Sequence, residues 1–329
     1  MIPSSARAAT PPPATPVCRA PRDRCGASAW RRWRKQRKHD LLYGAARALL
    51  VLWQRLPAPW ALRLGATVGR LACRHAGRER RRALAQLEVA RIGATGHERR
   101  VLVRQMFERL GRGLAQCLLL LRGGETACAQ LRPSLTARAR HELAAAQAAG
   151  RGIVVVGGHL GNWELVGAAL AQVVPLQVLA RSSYDPRWSR LIERWRRAVG
   201  VGTLWGDRPG ALRQALVRLR QGGAVGLLID QPIRRGGGQV PFFGRPAPTS
   251  TVAAALARST GAALLFAWPL RRGDEDEVEV VAVEGGSRAA LDQEGLVRQM
   301  AALTALLEQR VRVDPASWLW SLDRWRERD

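Results

Sequence analysis

Lysine is nearly absent from this chain of 329 residues: among 53 basic residues only Lys35 and Lys38 are lysines, and the rest are arginines. Acidic residues are also scarce, 26 in all, which leaves a net charge of +27. That imbalance points to an anionic partner such as nucleic acid, a membrane surface or an acidic carrier protein, with arginine-rich codon usage as the alternative reading. No zinc, RNA-recognition or helix-turn-helix signature accompanies the charge, so nucleic-acid binding has no module to support it. The five cysteines, Cys18, Cys25, Cys73, Cys117 and Cys128, are odd in number and lack metal-ligand spacing. They indicate neither a disulfide framework nor a zinc site, and suit a reducing compartment. Phenylalanine and tyrosine together number six against 12 tryptophans, the residue that favours a membrane interface. Long apolar runs are missing too. Leu41–Trp53 is interrupted by Arg47, ended by Arg55, Pro57 and Pro59, and falls short of the ~20 residues of a spanning helix. No small-residue cleavage site follows it, which disfavours a removable signal peptide.

What is present centres on residues 153–164. Ile153, Val154, Val155 and Val156 read as a short buried strand, stopped by Gly157 and Gly158. A helix begins near Asn162, a favoured N-cap residue, and carries Glu164 in its first turn. His159 therefore sits on the turn between strand and helix. On one continuous helix a spacing of five would point two side chains about 140° apart. A glycine-rich turn instead lets His159 and Glu164 fold toward each other, and a carboxylate on one imidazole nitrogen leaves the other as a general base. Five histidines and 26 acids give about 0.4 chance pairs at this spacing, and only His159 has one. The strand–Gly–Gly–His–helix setting carries more weight than the spacing.

Residues 1–29 are rich in Pro, Ala, Ser and Arg without hydrophobic period and read as disordered. Trp30–Lys38 is a basic, tryptophan-bearing cluster, suited to an anionic leaflet when followed by Leu41–Trp53. Trp60–Cys73 continues as a second amphipathic helix with Arg63 and Arg70 on its polar side, and the two together suit a helical pair lying in the interface. A buried helical hairpin fits the same pattern. Helical period resumes from Arg78 to Leu121, beginning with a run of arginines at 78, 80, 81 and 82, and an alanine-rich helix from Arg138 to Gly150 leads into the central strand.

Downstream, strand Leu176–Ala180 ends at Arg181, and a helix from Pro186 to Val199 closes at Gly200. A helix over 209–221 precedes strand Val225–Ile229, which ends in Asp230-Gln231-Pro232. Ligands of open α/β sheets bind at the carboxyl ends of strands, where His159, Arg181 and Asp230 all fall. A strand-end arginine suits a phosphate or an anionic transition state because its fork pairs bidentately with such oxygens. The stretch Val240-Pro-Phe242-Phe243-Gly244-Arg245-Pro-Ala-Pro-Thr249 follows a glycine-rich loop. Its Phe pair lines an apolar ligand path in one reading and fills the core in the other. Strands Ala263–Trp268 and Val278–Val283, joined by a charged turn, precede a long helix from Arg288 to Val313 and the closing Pro315-Ala-Ser-Trp318-Leu-Trp320-Ser-Leu322-Asp323-Arg324-Trp325.

Gly158-His159-Leu-Gly-Asn162-Trp163-Glu164, the 176–200 segment, the 230–249 segment and the closing tryptophans together resemble the bacterial lipid A biosynthesis (lauroyl/myristoyl) acyltransferases, relatives of the glycerolphosphate acyltransferases. The departures are Asp185 for the family's usual Asn, Leu322 for His and Asp323 for Arg, the last two weakening any role of the closing segment. The resemblance implies an α/β fold with a mixed central sheet flanked by helices and an N-terminal membrane-associating helical region. Its implied divisions are a disordered basic extension over 1–39, membrane-associating helices over 40–75 and an acyltransferase domain over 76–329. It further implies acyl transfer from an acyl thioester, usually acyl carrier protein, to a hydroxyl of a lipid A precursor or similar glycolipid; the alternative is acyl-CoA- or carrier-dependent acylation of another glycolipid or an aminolipid. His159 would be the base and Glu164 would orient it, Asn162, Arg181, Asp230, Phe242, Phe243 and Arg245 would serve substrate binding, and Asp230 would position Arg181 or the loop. No metal or cofactor is implied, and the location is the cytoplasmic face of the inner membrane. A basic nucleic-acid-binding protein and a membrane protein with a decayed site are the rivals.

Overall fold

The computed structural model describes residues 55–120, 131, 133–233, 236–272, 275–284 and 292–325, with scattered positions between 30 and 53. The expectations for 1–29, for most of Leu41–Trp53, for the start of the glycine-rich loop at 234–235 and for a helix start at 288 lie outside these residues. The chain divides into two compact units, Met1–Val51 and Leu52–Asp329, and the second holds the whole sheet. Among the described residues no helix is long and apolar enough to cross a membrane.

The second unit opens with three helices, α1 (Ala58–His75), α2 (Gly77–Val89) and α3 (Gly96–Leu120). The single helical stretch expected over 78–121 is thus two helices, separated by a turn at Arg91 and Gly93, both of positive φ. Helices α1 and α3 approach closely because small residues face each other. A Cβ added at Gly69 would lie 2.2 Å from the Phe107 carbonyl oxygen, and one at Gly111 would lie 2.2 Å from that of Gly65. Only a bare backbone fits at such a crossing. One face of α1 is therefore buried against α3.

The remaining elements are β1 (Ser134–Leu135), α4 (Ala137–Ala148), β2 (Ile153–Gly157), α5 (Trp163–Leu170), β3 (Leu176–Ala180), α6 (Pro186–Ala198), β4 (Gly202–Trp205), α7 (Ala211–Arg220), β5 (Ala224–Leu228), β6 (Gly238–Phe242), β7 (Arg245–Thr249), α8 (Val252–Thr260), β8 (Ala263–Arg272), β9 (Glu275–Val283) and α9 (Gln293–Val313). Seven strands form one mixed sheet in the order β1-β9-β8-β2-β5-β3-β4, and β6 and β7 form a separate antiparallel hairpin. All pairings of the large sheet are parallel except β8 with β9. Strand β4 and the β6–β7 hairpin were not foreseen. Proline at 241, 246 and 248 argues against strand in general, but a two-stranded hairpin is all edge and tolerates it.

Strand β2 is central and buried on both faces. Val154 and Val156 enter one core beside α8, α9 and the chain end, while Ile153 and Val155 enter the other beside α4 and α5. Topology then does something that the linear sequence hides. The chain runs from β2 to β3, outward to β4, and returns to insert β5 between β2 and β3. Gly157 thereby stands opposite Leu228 in parallel register. Two residues beyond each lie His159 and Asp230, which leave the sheet side by side although 71 positions separate them.

Gly111→Val should push α3 off α1, an overpacking that costs about 1–3 kcal/mol or more. Thermal denaturation followed by circular dichroism should show a melting temperature several degrees lower. An unchanged melting temperature would contradict the close crossing.

Candidate active site

Residues 158–162 leave β2 in a tight turn. A Cβ at Gly158 would meet Leu307 Cδ1 at 2.6 Å and Asp230 Oδ2 at 3.1 Å, so the glycine makes room for the carboxylate behind the turn. The closing segment pins the turn from the other side. Gly161 N–H donates to the Ser317 carbonyl at 2.8 Å, and Leu319 N–H donates to the His159 carbonyl at 3.1 Å.

His159 is 9 % exposed and Asp230 is fully buried. The His159 ring places Nδ1 2.7 Å from Asp230 Oδ1. Asp230 Oδ2 accepts from the His159 backbone N–H at 2.6 Å and from the Trp318 indole N–H at 2.8 Å. An ionised carboxylate only accepts, so Nδ1 carries the proton and Nε2 keeps its lone pair. Nε2 lies 3.4 Å from the Gln231 amide. Trp163 packs edge-on against the imidazole, its centroid 4.8 Å away.

The electrostatics agree with the geometry. Burial disfavours the imidazolium, but the charge and hydrogen bond of Asp230, aided by the charge of Glu164, outweigh it and raise the His159 pKa above 6.5. Burial likewise opposes the Asp230 carboxylate, yet His159 and the three hydrogen bonds hold its pKa below the ordinary carboxylate value. Arg324 lies buried nearby, donating to the Pro248 carbonyl and to Thr249 Oγ1, both at 2.6 Å. Its desolvation, partly offset by Asp230, pushes its pKa down to about 10.

The expected partner of His159 was Glu164, and the structure corrects that pairing. Both Glu164 oxygens engage Arg196 of α6, at 2.6 and 3.0 Å, while Asp230 occupies Nδ1. Among the described residues the hydrogen bonds of Asp230 go to His159 and Trp318, and none to Arg181. Glu164 heads α5 from its first turn and still lines the same cavity as His159. Asn162 stands at the N-cap of α5 without capping it by its side chain. Its amide instead donates to the Gly113 carbonyl and to Gln116 Oε1, both at 3.0 Å, tying the turn to α3. Arg181, at the end of β3, lines the same cavity as His159.

Phe242, Phe243 and Arg245 are elsewhere. The two phenylalanines are buried and pack on Trp318, Trp320 and Trp325. They belong to the core and not to the cavity wall. Arg245 is exposed at the start of β7. Sequence reasoning missed Gln231, Arg196 and Trp318. The closing segment, discounted because of Leu322 and Asp323, supplies the indole that holds Asp230. Asp323 itself lies 3.6 Å from Arg82, a pairing an arginine there would not make.

The cavity, about 300 Å³, lies between the sheet and helices α5 and α6. His159, Glu164, Arg181, Arg196 and Gln231 provide its polar groups; Val166, Leu170, Leu176, Val178 and Val201 are among its apolar walls. It follows β3 from Ala180 back to Leu176, four residue steps or roughly 13 Å at strand rise. Among the described residues no three His, Cys, Asp or Glu side chains are grouped to hold a metal.

A histidine made basic by a buried carboxylate thus stands at the carboxyl edge of a mixed sheet and beside an apolar cavity, an arrangement able to take up a proton from a bound group. The chain belongs to the bacterial lipid A biosynthesis acyltransferase family, whose pattern matches residues 35–327. It is 32% identical over 191 residues to a phosphatidylinositol mannoside acyltransferase of Mycobacterium tuberculosis, covering 56% of this chain and 57% of that protein. It is 25% identical over 286 residues to the lipid A biosynthesis palmitoleoyltransferase of Escherichia coli, covering 85% of this chain and 89% of that one. A lipid A biosynthesis acyltransferase of Shigella flexneri is similar to the same extent. The chain thus spans little more than half the length of the mycobacterial relative.

The raised His159 pKa stabilises the fold fully below about pH 6.5 and ceases to do so as pH climbs through the folded value. The lowered Asp230 pKa stabilises above about pH 4 and is lost as pH falls through its folded value. Together they work most strongly between about pH 4 and 6.5. Asp230→Asn should therefore cost more stability at pH 5.5 than at pH 9 in urea denaturation. A penalty independent of pH would contradict the charged pair.

Proposed function

We propose that this chain is an acyltransferase that moves a fatty acyl group from an acyl thioester to a hydroxyl of a lipid A precursor or a related glycolipid. The observation that carries the reading is the basic His159, its Nε2 facing only the Gln231 amide at 3.4 Å among the described residues, at the edge of an apolar cavity in a chain of the lipid A acyltransferase family. The acceptor hydroxyl gives its proton to Nε2 as its oxygen attacks the thioester carbon. The tetrahedral species then collapses, the carbon–sulfur bond breaks, and the imidazolium returns the proton to the departing thiolate. Asp230 stabilises the imidazolium and fixes its tautomer. The Gln231 amide is 3.4 Å from Nε2 and Arg181 lines the same cavity; one serves acceptor phosphate and the other the developing negative charge. The Glu164–Arg196 pair fastens α5 to α6, and the Glu164 carboxylate gives the imidazolium a smaller second support.

Acyl carrier protein is the donor we favour, since an acidic carrier complements a chain of charge +27. The acyl chain occupies the apolar cavity, where each buried methylene contributes about 0.8 kcal/mol. The protein works on the cytoplasmic face of the inner membrane, and among the described residues no helix is long and apolar enough to cross it.

His159→Ala should lower transfer about 10²-fold or more in a folded protein, the usual scale for a lost general base. Asp230→Asn should approach that loss, and Glu164→Gln should lose much less. Transfer is followed with a radiolabelled thioester and lipid acceptor. Full activity of His159→Ala would end the proposal, while a greater loss in Glu164→Gln than in Asp230→Asn would restore the Glu164 dyad.

Gly167 supplies a second test, on the cavity. A Cβ there would meet Val201 at 3.8 Å and Leu176 at 4.0 Å, ordinary contacts that leave the fold undisturbed. Gly167→Leu should fill the cavity and shift preference toward shorter acyl thioesters in a chain-length series. An unchanged preference would place the acyl chain elsewhere.

A further inference from the structure

Away from the site, helices α1, α2 and α3 enclose an open cleft that brings together five arginines: Arg70 and Arg74 from α1, Arg80 from α2, and Arg100 and Arg104 from α3. Arg70 is held by Glu108 at 3.1 Å and Thr67 at 2.9 Å. The other four make no ion pair among the described residues. Arg80 and Arg104 both act electrostatically on the Cys73 thiol, so their charges converge. Like charges gathered without a counter-ion repel each other, and a cleft of this kind gains by taking an anion.

The neighbouring surface of α1 narrows the choice of anion. Trp60, Leu64, Val68 and Leu71 are 64%, 39%, 47% and 47% exposed. Their spacing of four, four and three places them on one helical face. Leu71 belongs both to this stripe and to the cleft wall. Gly65 and Gly69 anchor the opposite side of α1 against α3, so the apolar stripe cannot turn inward. A soluble anion would explain the arginines and leave the stripe without purpose. A bilayer explains both, since tryptophan and aliphatic side chains enter the acyl boundary while arginines reach the phosphates.

We propose that the α1 stripe and the arginine cleft form one docking surface for an anionic bilayer, with lipid phosphate seated among Arg74, Arg80, Arg100 and Arg104. This deepens the membrane attachment proposed above and is independent of the acyl chemistry. It leaves the His159 cavity untouched, because no residue of the cleft lines that cavity.

The test is co-sedimentation of the full chain with phosphatidylcholine vesicles and with vesicles containing about 30% phosphatidylglycerol, an anionic lipid of the kind that attracts basic side chains. Arg74→Gln/Arg104→Gln is compared with a control of equal net charge, Arg213→Gln/Arg220→Gln on α7, and with Trp60→Ser/Leu64→Ser. A Lys or Arg near an anionic surface is worth about fivefold in affinity, so the cleft variant should bind anionic vesicles about 25-fold more weakly. The control should lose far less, and the stripe variant should lose binding to both vesicle types. Transfer to a detergent-dispersed acceptor should stay at the wild-type level in all three. Equal losses in cleft and control variants would reduce the effect to net charge and overturn the proposal. So would a cleft variant that keeps vesicle affinity while losing affinity for acyl carrier protein. Failure of detergent-phase transfer in the wild type would count against the acyltransferase reading alone.

Discussion

A single fully buried carboxylate governs the geometry of this protein. Asp230 takes three hydrogen bonds, from the His159 ring, the His159 backbone and the Trp318 indole. A buried charge is costly unless it is paired and hydrogen-bonded, so each partner must stay in place. That requirement links the end of β5, the turn after β2 and the closing segment. It also explains Gly158, where any side chain would intrude on the carboxylate and on Leu307. The aromatic group of Phe242, Phe243, Trp318, Trp320 and Trp325 then acts as a rigid backing that keeps the Trp318 indole aimed at Asp230.

Chemistry follows from that constraint. The same hydrogen bonds that satisfy Asp230 choose the Nδ1–H tautomer of His159 and raise its basicity. The cavity beside it has mainly apolar walls, while Glu164 and Arg196 neutralise each other there. On another face of the same unit, α1 carries apolar residues outward and arginines beside them. The candidate site is built on α5 and α6 and the proposed docking surface on α1 and α2, while α3 touches both, through Gly113 and Gln116 on one side and Arg100 and Arg104 on the other.

Much of this was legible in the sequence because it is local. The run Ile153–Val156, the glycines after it and the helix from Trp163 follow from period and capping, and so do the strands ending at Arg181 and Asp230. The partner of His159 was not legible. Glu164 is near in sequence and attracts the pairing by proximity, whereas Asp230 becomes adjacent only when β5 inserts between β2 and β3. No periodicity encodes strand order. Phe242 and Phe243 mislead for a related reason: an apolar pair beside a glycine-rich loop suits a substrate wall as well as a core, and only the tryptophans of the chain end decide between them. The proline-bearing hairpin β6–β7 was hidden by residues that in longer sheets break strands.

The state of the His159 ring is directly measurable by ¹⁵N-resolved NMR of the histidine-labelled protein, with His159→Ala to assign the signals. Above the His159 pKa, Nδ1 should carry the proton and Nε2 should show the shift of an unprotonated nitrogen, with a titration midpoint above 6.5 that falls in Asp230→Asn. A ring protonated on Nε2, or a midpoint insensitive to Asp230→Asn, would contradict Asp230 as the group that fixes the tautomer and raises the basicity of His159.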